Sequence, residues 1–327
     1  MVGVTGVGSL PGTDYPAAVR LVFDTLGSVD NGLPHLPELP ARGPWAGLIG
    51  RACGLLVDLP VSFDAGVWRL SDATGIDGRR ARATLRDDLD MLQEQAHEYA
   101  GRFKVQVTGP WTLAASVFRP LGGRVLADRG ARRDLAQSLA QGTSDLLAEI
   151  AAKLPGAELV LQVDEPALPA VLSGSVPTEG GYFRHRSIDL PEAAESLKLL
   201  SALTPGAVLH CCASGLLPSL VAQSGFGAMS LDQDQITGWD AVAEFVDHGG
   251  SLYLGCLPTA SERAWSVDQV VRRALKVLRP LELGSALADN LMLTPACGLA
   301  AWSAAGVSAA TKTLLGAAPL VDEHLRT

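Results

Sequence analysis

The sequence predicts an α/β protein built as one (β/α)8 barrel over residues 1–327, with a long loop inserted after the second strand. Three observations predict it. Short runs rich in Val, Leu and Ile, each followed by a Gly/Pro or polar turn and then a segment of helical period, recur along the whole chain. Eight such units can be counted, the number that closes a parallel sheet on itself. The chain is also 47% hydrophobic and 19% charged over 327 residues, enough apolar material for one large core.

Taken in order, the strands are expected at Val2–Leu10, Gly32–Leu36, Lys104–Thr108, Glu158–Val163, Ala207–Cys211, Ala228–Leu231, Ser251–Leu254 and Leu291–Thr294. Helices are expected at Arg79–Tyr99, Arg132–Lys153, Leu190–Leu203, Asp240–Asp247 and Ser266–Leu278, stretches rich in Ala, Leu and Arg. Glu38–Asp77 has many Gly, Pro and Trp residues and no clean period, and reads as a loop over one end of the barrel; Val171–Ile188 reads as a second insertion. A doubly wound dinucleotide fold is the rival. Gly3-Val-Thr-Gly6-Val-Gly8 is glycine-rich, but Pro11 and the lack of an acidic residue at a second strand end spoil the fingerprint.

Net charge is −9, and the basic clusters Arg79, Arg80, Arg82, Arg86 and Arg129, Arg132, Arg133 recur at helical spacing. They read as solvated helix faces, which argues against nucleic acid as a partner. No basic segment followed by an apolar core opens the chain, and no apolar run approaches the ~20 residues of a membrane span. Five cysteines, at positions 53, 211, 212, 256 and 297, argue for reduced thiols and a cytoplasmic location.

Catalytic groups of such barrels sit at the carboxyl ends of the strands. The fifth strand ends Val208-Leu-His210-Cys211-Cys212, and alternation points His210 and Cys212 one way and Cys211 the other. The eighth ends Leu293-Thr-Pro295-Ala-Cys297-Gly298, which closure brings to the same mouth. One imidazole and two thiolates suit Zn2+, with a position left for an exchangeable ligand; the bland reading is packed core residues. At the fourth strand, Asp164 is placed to bind an ammonium group or act as a base, while Glu165 reads as a cap on the next helix. Ser9, after Gly8, can hydrogen-bond a carboxylate or merely sit in a tight turn. Asp232 offers an oxygen ligand, a partner for a metal-bound imidazole, or a solvated carboxylate.

These strand ends together resemble the carboxyl-terminal catalytic barrel of the cobalamin-independent methionine synthase family, within the superfamily shared with uroporphyrinogen decarboxylase. The resemblance spans almost the whole chain. It is carried by Gly8-Ser9-x-Pro11, Gly109-Pro110-x-Thr112, Asp164-Glu165-Pro166-Ala167, His210-x-Cys212 and Thr294-Pro295-x-Cys297-Gly298-Leu299. It implies a zinc-dependent methyltransferase making methionine from homocysteine, with His210, Cys212 and Cys297 as metal ligands and Asp232 where the family has a glutamate ligand. Ser9 and Asp164 match the contacts to the carboxylate and amino group of homocysteine, and Glu38 matches a further amino-group contact. The chain departs from full-length enzymes in having no counterpart of their amino-terminal barrel. The tryptophan that stacks on folate falls at Ser116, and the family's Asp-x-His falls in Gly255-Cys256-Leu257-Pro258. A chain missing these groups looks like one that takes its methyl group from another donor, a methylated corrinoid protein docked at the barrel mouth, with a methylfolate as the other candidate. A metal-free enzyme of the decarboxylase type and a non-catalytic zinc or corrinoid-partner module are the alternatives.

Overall fold

A computed structural model describes residues 1–73 and 75–327; Thr74, within the predicted loop insertion, lies outside the described residues. The elements run β1 (Gly3–Thr5), α1 (Tyr15–Val22), β2 (Gly32–Leu33), α2 (Leu48–Leu55), β3 (Val61–Asp64), β4 (Val67–Leu70), α3 (Ile76–Ala96), β5 (Arg102–Thr108), α4 (Pro110–Ser116) and α5 (Arg129–Lys153). They continue with β6 (Glu158–Asp164), α6 (Leu168–Leu172), α7 (Leu190–Ser201), β7 (Val208–Cys211), α8 (Pro218–Gln223) and β8 (Ala228–Asp232). The chain ends with α9 (Asp240–Asp247), β9 (Ser251–Leu257), α10 (Val267–Leu278), α11 (Gly284–Asp289), β10 (Leu291–Pro295) and α12 (Ala304–Arg326).

Among the described residues the main sheet has eight strands in the order β2-β1-β10-β9-β8-β7-β6-β5, every pair parallel. Its two end strands meet through a parallel bridge between His35 and Lys104, flanked by Leu36 N–H to Lys104 O at 2.8 Å and Lys104 N–H to Pro34 O at 2.9 Å. The sheet is thus a barrel, the predicted (β/α)8 fold. Helices cover its outside because each parallel crossover must pack back on the sheet.

The first two strands are shorter than expected. β1 ends at Thr5 because the carbonyls of Gly6 and Val7 turn inward to accept from the Lys104 ammonium, at 2.7 and 3.0 Å, instead of extending the ladder. Pro34, which has no N–H to give, ends β2, and only the His35 bridge resumes the pairing. The insertion over Glu38–Asp77 is not a bare loop. It holds α2 and an antiparallel hairpin, β3 with β4, whose turn places Ala65 and Gly66 at positive φ of 48° and 82°. The second insertion is irregular, with one bridge between Pro177 and Arg184.

One expectation about apolar length needs correcting. α12 is 23 residues long with a hydropathy of 1.2, which meets the length and composition of a membrane span. It packs, however, as a barrel helix: Val307, Ala310, Leu314, Ala317, Ala318, Val321 and Leu325 form one buried stripe against β1, β10, α10 and α11. Its N-cap is Ser303, whose hydroxyl accepts from Gly306 N–H, and Lys312, Asp322, Glu323 and Arg326 fall outside the stripe.

Inside the barrel, the amino-terminal end is filled by Leu33, Val160, Val208, Ala228 and Tyr253, with Met292 against them. Toward the carboxyl end the inward residues turn polar. Lys104, Gln106, Gln162, Asp164, His210, Ser230 and Thr294 are all buried there. This polar column is what the site is built on.

Candidate metal and substrate site

β7 is the centre of the site. Register pairs Asp164 on β6 with His210 on β7, and His210 with Ser230 on β8, so three polar side chains lie side by side on the inner wall. His210 is 2% exposed. Its Nδ1 lies 2.8 Å from Ser230 Oγ, which orients the ring; its Nε2 is buried and has no hydrogen-bond partner. An unpartnered buried ring nitrogen costs free energy unless a ligand takes it.

Cys212, just past β7, and Cys297, just past β10, meet that nitrogen. The His210, Cys212 and Cys297 donor atoms all lie within 4.8 Å of one another, and the two Sγ atoms are 3.3 Å apart. Both cysteines are half-buried. The hydrogen bond from Cys212, with the His210 imidazole beside it, pulls the Cys297 thiol down to about 4; the same bond pushes Cys212 up. These residues fit a soft divalent metal: one imidazole nitrogen and two sulfurs within reach of one another form a donor set of the kind that zinc selects.

Cys211 points away, as alternation requires. It is 1% exposed with its Sγ 3.8 Å from Ala213 O, and burial raises its thiol to about 12. Burial likewise pushes the Cys256 thiol up to about 12, and the Cys53 thiol up further. All three are packing residues.

Asp232, at the end of β8, is half-buried and does not join the cluster; its Oδ1 accepts from Asp234 N–H at 2.9 Å and burial raises its pKa. The part of imidazole partner, one of the readings open for Asp232, is filled by Ser230 two residues earlier on the same face. Ser230 was not singled out from the sequence, although its parity with Asp232 carries the signal.

Asp164 is 6% exposed, and its Oδ1 accepts from Gln162 Nε2 at 2.7 Å. Burial pushes its pKa up, while His210 opposes that shift. Glu165 points the other way. Its carboxylate takes Trp111 N–H at 2.8 Å, Thr112 N–H at 2.7 Å and the Thr112 hydroxyl at 2.6 Å, closing the amino terminus of α4. It therefore caps the helix before it rather than the one after. Gly109 is needed because a Cβ there would strike the Glu165 carboxylate.

Ser9 and Glu38 are brought together by a parallel bridge, with Glu38 N–H to Gly8 O at 3.2 Å and Leu10 N–H to Glu38 O at 2.8 Å. Ser9 O accepts from Leu299 N–H at 2.8 Å, and a Cβ on Gly298 would collide with Ser9 Oγ. The Ser9 hydroxyl thus sits against the residue next to Cys297. Glu38 is buried and faces Arg51 Nε at 3.4 Å; Arg51 in turn reaches Asp88 at 3.1 Å, which Arg42 grips with two bonds of 2.7 Å. Burial raises the Glu38 pKa and Arg51 opposes the rise.

Among solved structures, the chain is similar to a B12-independent methionine synthase from Shewanella sp. W3-18-1 in complex with selenomethionine, at 15% identity over 99% of both chains with a TM-score of 0.63. That likeness is one of fold. A weaker likeness is to β-methylaspartase from Clostridium tetanomorphum, at 12% identity over 98% of this chain and 58% of that one, with a TM-score of 0.46. No curated protein matches the chain. The profile of the cobalamin-independent synthase catalytic domain matches residues 92–319, which takes in Asp164, His210, Cys212, Asp232 and Cys297 but not Ser9 or Glu38. With most of its length so matched, the chain belongs to the cobalamin-independent synthase catalytic-domain family.

Proposed function

We propose that residues 1–327 act as one catalytic barrel that binds zinc through His210, Cys212 and Cys297 and methylates the thiol of homocysteine to give methionine. The observation that carries this reading is the meeting of a buried, unpartnered His210 Nε2 with two cysteine sulfurs inside 4.8 Å. Family membership supports the reaction class. The five free cysteines suit a cytoplasmic setting.

When bound, zinc would deprotonate a substrate thiol, whose unperturbed pKa is about 8.5, and so supply a nucleophile at neutral pH. The chain's own groups do the rest. Ser230 holds the His210 ring, so that Nε2 faces the two sulfurs. Asp164 offers a carboxylate to the ammonium group of the amino acid, and Ser9 its hydroxyl to the carboxylate, with Glu38 beside Ser9 as a second acceptor. Holding the amino-acid end fixes where the thiol lies, which lowers the entropy cost of the reaction. Asp232, at the end of β8, would be the oxygen donor available to complete the set, its Oδ1 being held at present by Asp234 N–H.

We assign the methyl donor to the methylfolate class. The family is cobalamin-independent, which gives no support to a methylated corrinoid protein. The acidic groups at the mouth, Asp164 and Glu38, also disfavour a decarboxylase acting on a polycarboxylate.

The test is the metal content of freshly purified, reduced protein, with His210→Ala and Cys297→Ser beside it, followed by methionine formation from homocysteine and methyltetrahydrofolate. About one zinc per chain in the wild type, lost in both variants along with activity, is expected. A wild type that takes up no zinc, or variants that stay active without it, would overturn the reading.

A further inference from the structure

Lys104 is 0% exposed, deep in the barrel wall on β5. A buried ammonium costs much free energy unless each of its three protons finds an acceptor. Here each does: Nζ donates to Gly6 O at 2.7 Å, to Val7 O at 3.0 Å and to Gln162 Oε1. Those acceptors belong to two different arms of the amino-acid site. Gly6 and Val7 are the residues just before Gly8 and Ser9. Gln162 is two residues before Asp164 on the same face of β6.

The amide of Gln162 completes the link. With Oε1 held by the ammonium, its Nε2 has to face the other way, where it donates to Val7 O at 2.9 Å and to Asp164 Oδ1 at 2.7 Å. A flipped amide would set an N–H against the ammonium and an oxygen against a carboxylate, so the charge of Lys104 selects one orientation. Asp164 is thereby held as an acceptor with its second oxygen left for a ligand. Burial lowers the Lys104 pKa to about 7, and the nearby carboxylates of Asp164 and Glu38 oppose that shift.

We propose that Lys104 is a positioning residue which, through Gln162 and the Gly6 and Val7 carbonyls, sets the separation of Ser9 and Asp164 and so makes the site selective for thiols that carry an α-amino-acid end. The inference rests on the reading of Ser9 and Asp164 given under Proposed function. Lys104 touches no reacting atom in this assignment. Its effect falls on recognition of the amino-acid end and spares the metal.

The experiment compares zinc-loaded wild type with Lys104→Met and Gln162→Leu, measuring zinc content, kcat and KM with homocysteine, and rate with a plain alkanethiol of similar length lacking amino and carboxyl groups. Lys104→Met should raise KM for homocysteine by about tenfold or more, the scale of a lost buried hydrogen-bond partner, with zinc content and the alkanethiol rate unchanged. Gln162→Leu keeps the ammonium's bonds to Gly6 and Val7 but cuts the link to Asp164, and should show the same loss of discrimination even where Lys104→Met fails to fold. Unchanged KM for homocysteine in a folded Gln162→Leu protein, or equal losses with both thiols, would overturn the inference while leaving the function intact. A wild type that binds zinc but methylates neither thiol would instead overturn the function, and this inference with it.

Discussion

His210 Nδ1 and Ser230 Oγ lie 2.8 Å apart because the two residues are registered partners on β7 and β8. The bond leaves Nε2 toward the sulfurs, so removing it should loosen the metal rather than the fold. Ser230→Ala is expected to weaken zinc affinity by about tenfold or more, within the range seen for partners of metal-bound imidazoles. Competition with a chromophoric chelator measures this; affinity equal to wild type would deny Ser230 its role.

The two sulfurs 3.3 Å apart set a second expectation. In metal-free protein, a mild oxidant that takes up two electrons and two protons should join Cys212 to Cys297, whereas zinc-loaded protein should resist it. Cys53, Cys211 and Cys256, buried with raised thiols, should stay unmodified in both states. Peptide mapping after alkylation reads the pairing, and a disulfide through Cys211 would contradict the orientation of β7.

Gly298→Ala places a methyl group where Ser9 Oγ sits. Because Leu299 N–H ties Ser9 O in place, the side chain has to rotate away. The expected result is a KM for homocysteine raised by about tenfold, with zinc retained, since one charged hydrogen bond is at stake. Calorimetric titration with homocysteine gives the same quantity without turnover.

His35 gives the pH dependence a sign. It is 3% exposed, and burial, with Lys104 beside it, pushes its pKa from 6.5 down to about 3. A histidine whose folded pKa is depressed stabilises the fold above its unfolded pKa, and that stability is lost as pH falls from about 6.5 toward 3. Urea unfolding at pH 7 and pH 4.5 should therefore differ less in His35→Gln than in wild type. An equal loss in both would place the acid sensitivity elsewhere.

Much of this was legible in the sequence, and the reason differs by residue. His210, Cys212 and Cys297 could be found because reactive side chains at strand ends are few and alternation sorts Cys212 from Cys211. Lys104 and Gln106 could not. Alternation in Lys104-Val-Gln106-Val divides two faces but does not say which faces inward, and polar residues are ordinarily taken as outward; here Val105 and Val107 meet the helices and the polar pair lines the interior. The hairpin of β3 and β4 leaves little trace in the sequence because its strands are only four residues each. Ser9 and Glu38 stand outside the stretch matched by the family profile, yet the fold sets them side by side.

The barrel closes at a narrow seam, marked among the described residues by one bridge between His35 and Lys104. The segments on either side of that seam carry Glu38, just past β2, and the Lys104 ammonium on β5, whereas His210, Cys212 and Cys297 come from β7 and β10, within the paired sheet. A change that loosens the seam therefore reaches Glu38 and the Lys104 ammonium before it reaches the metal ligands, so the two halves of the site differ in how they feel a breach of the barrel wall.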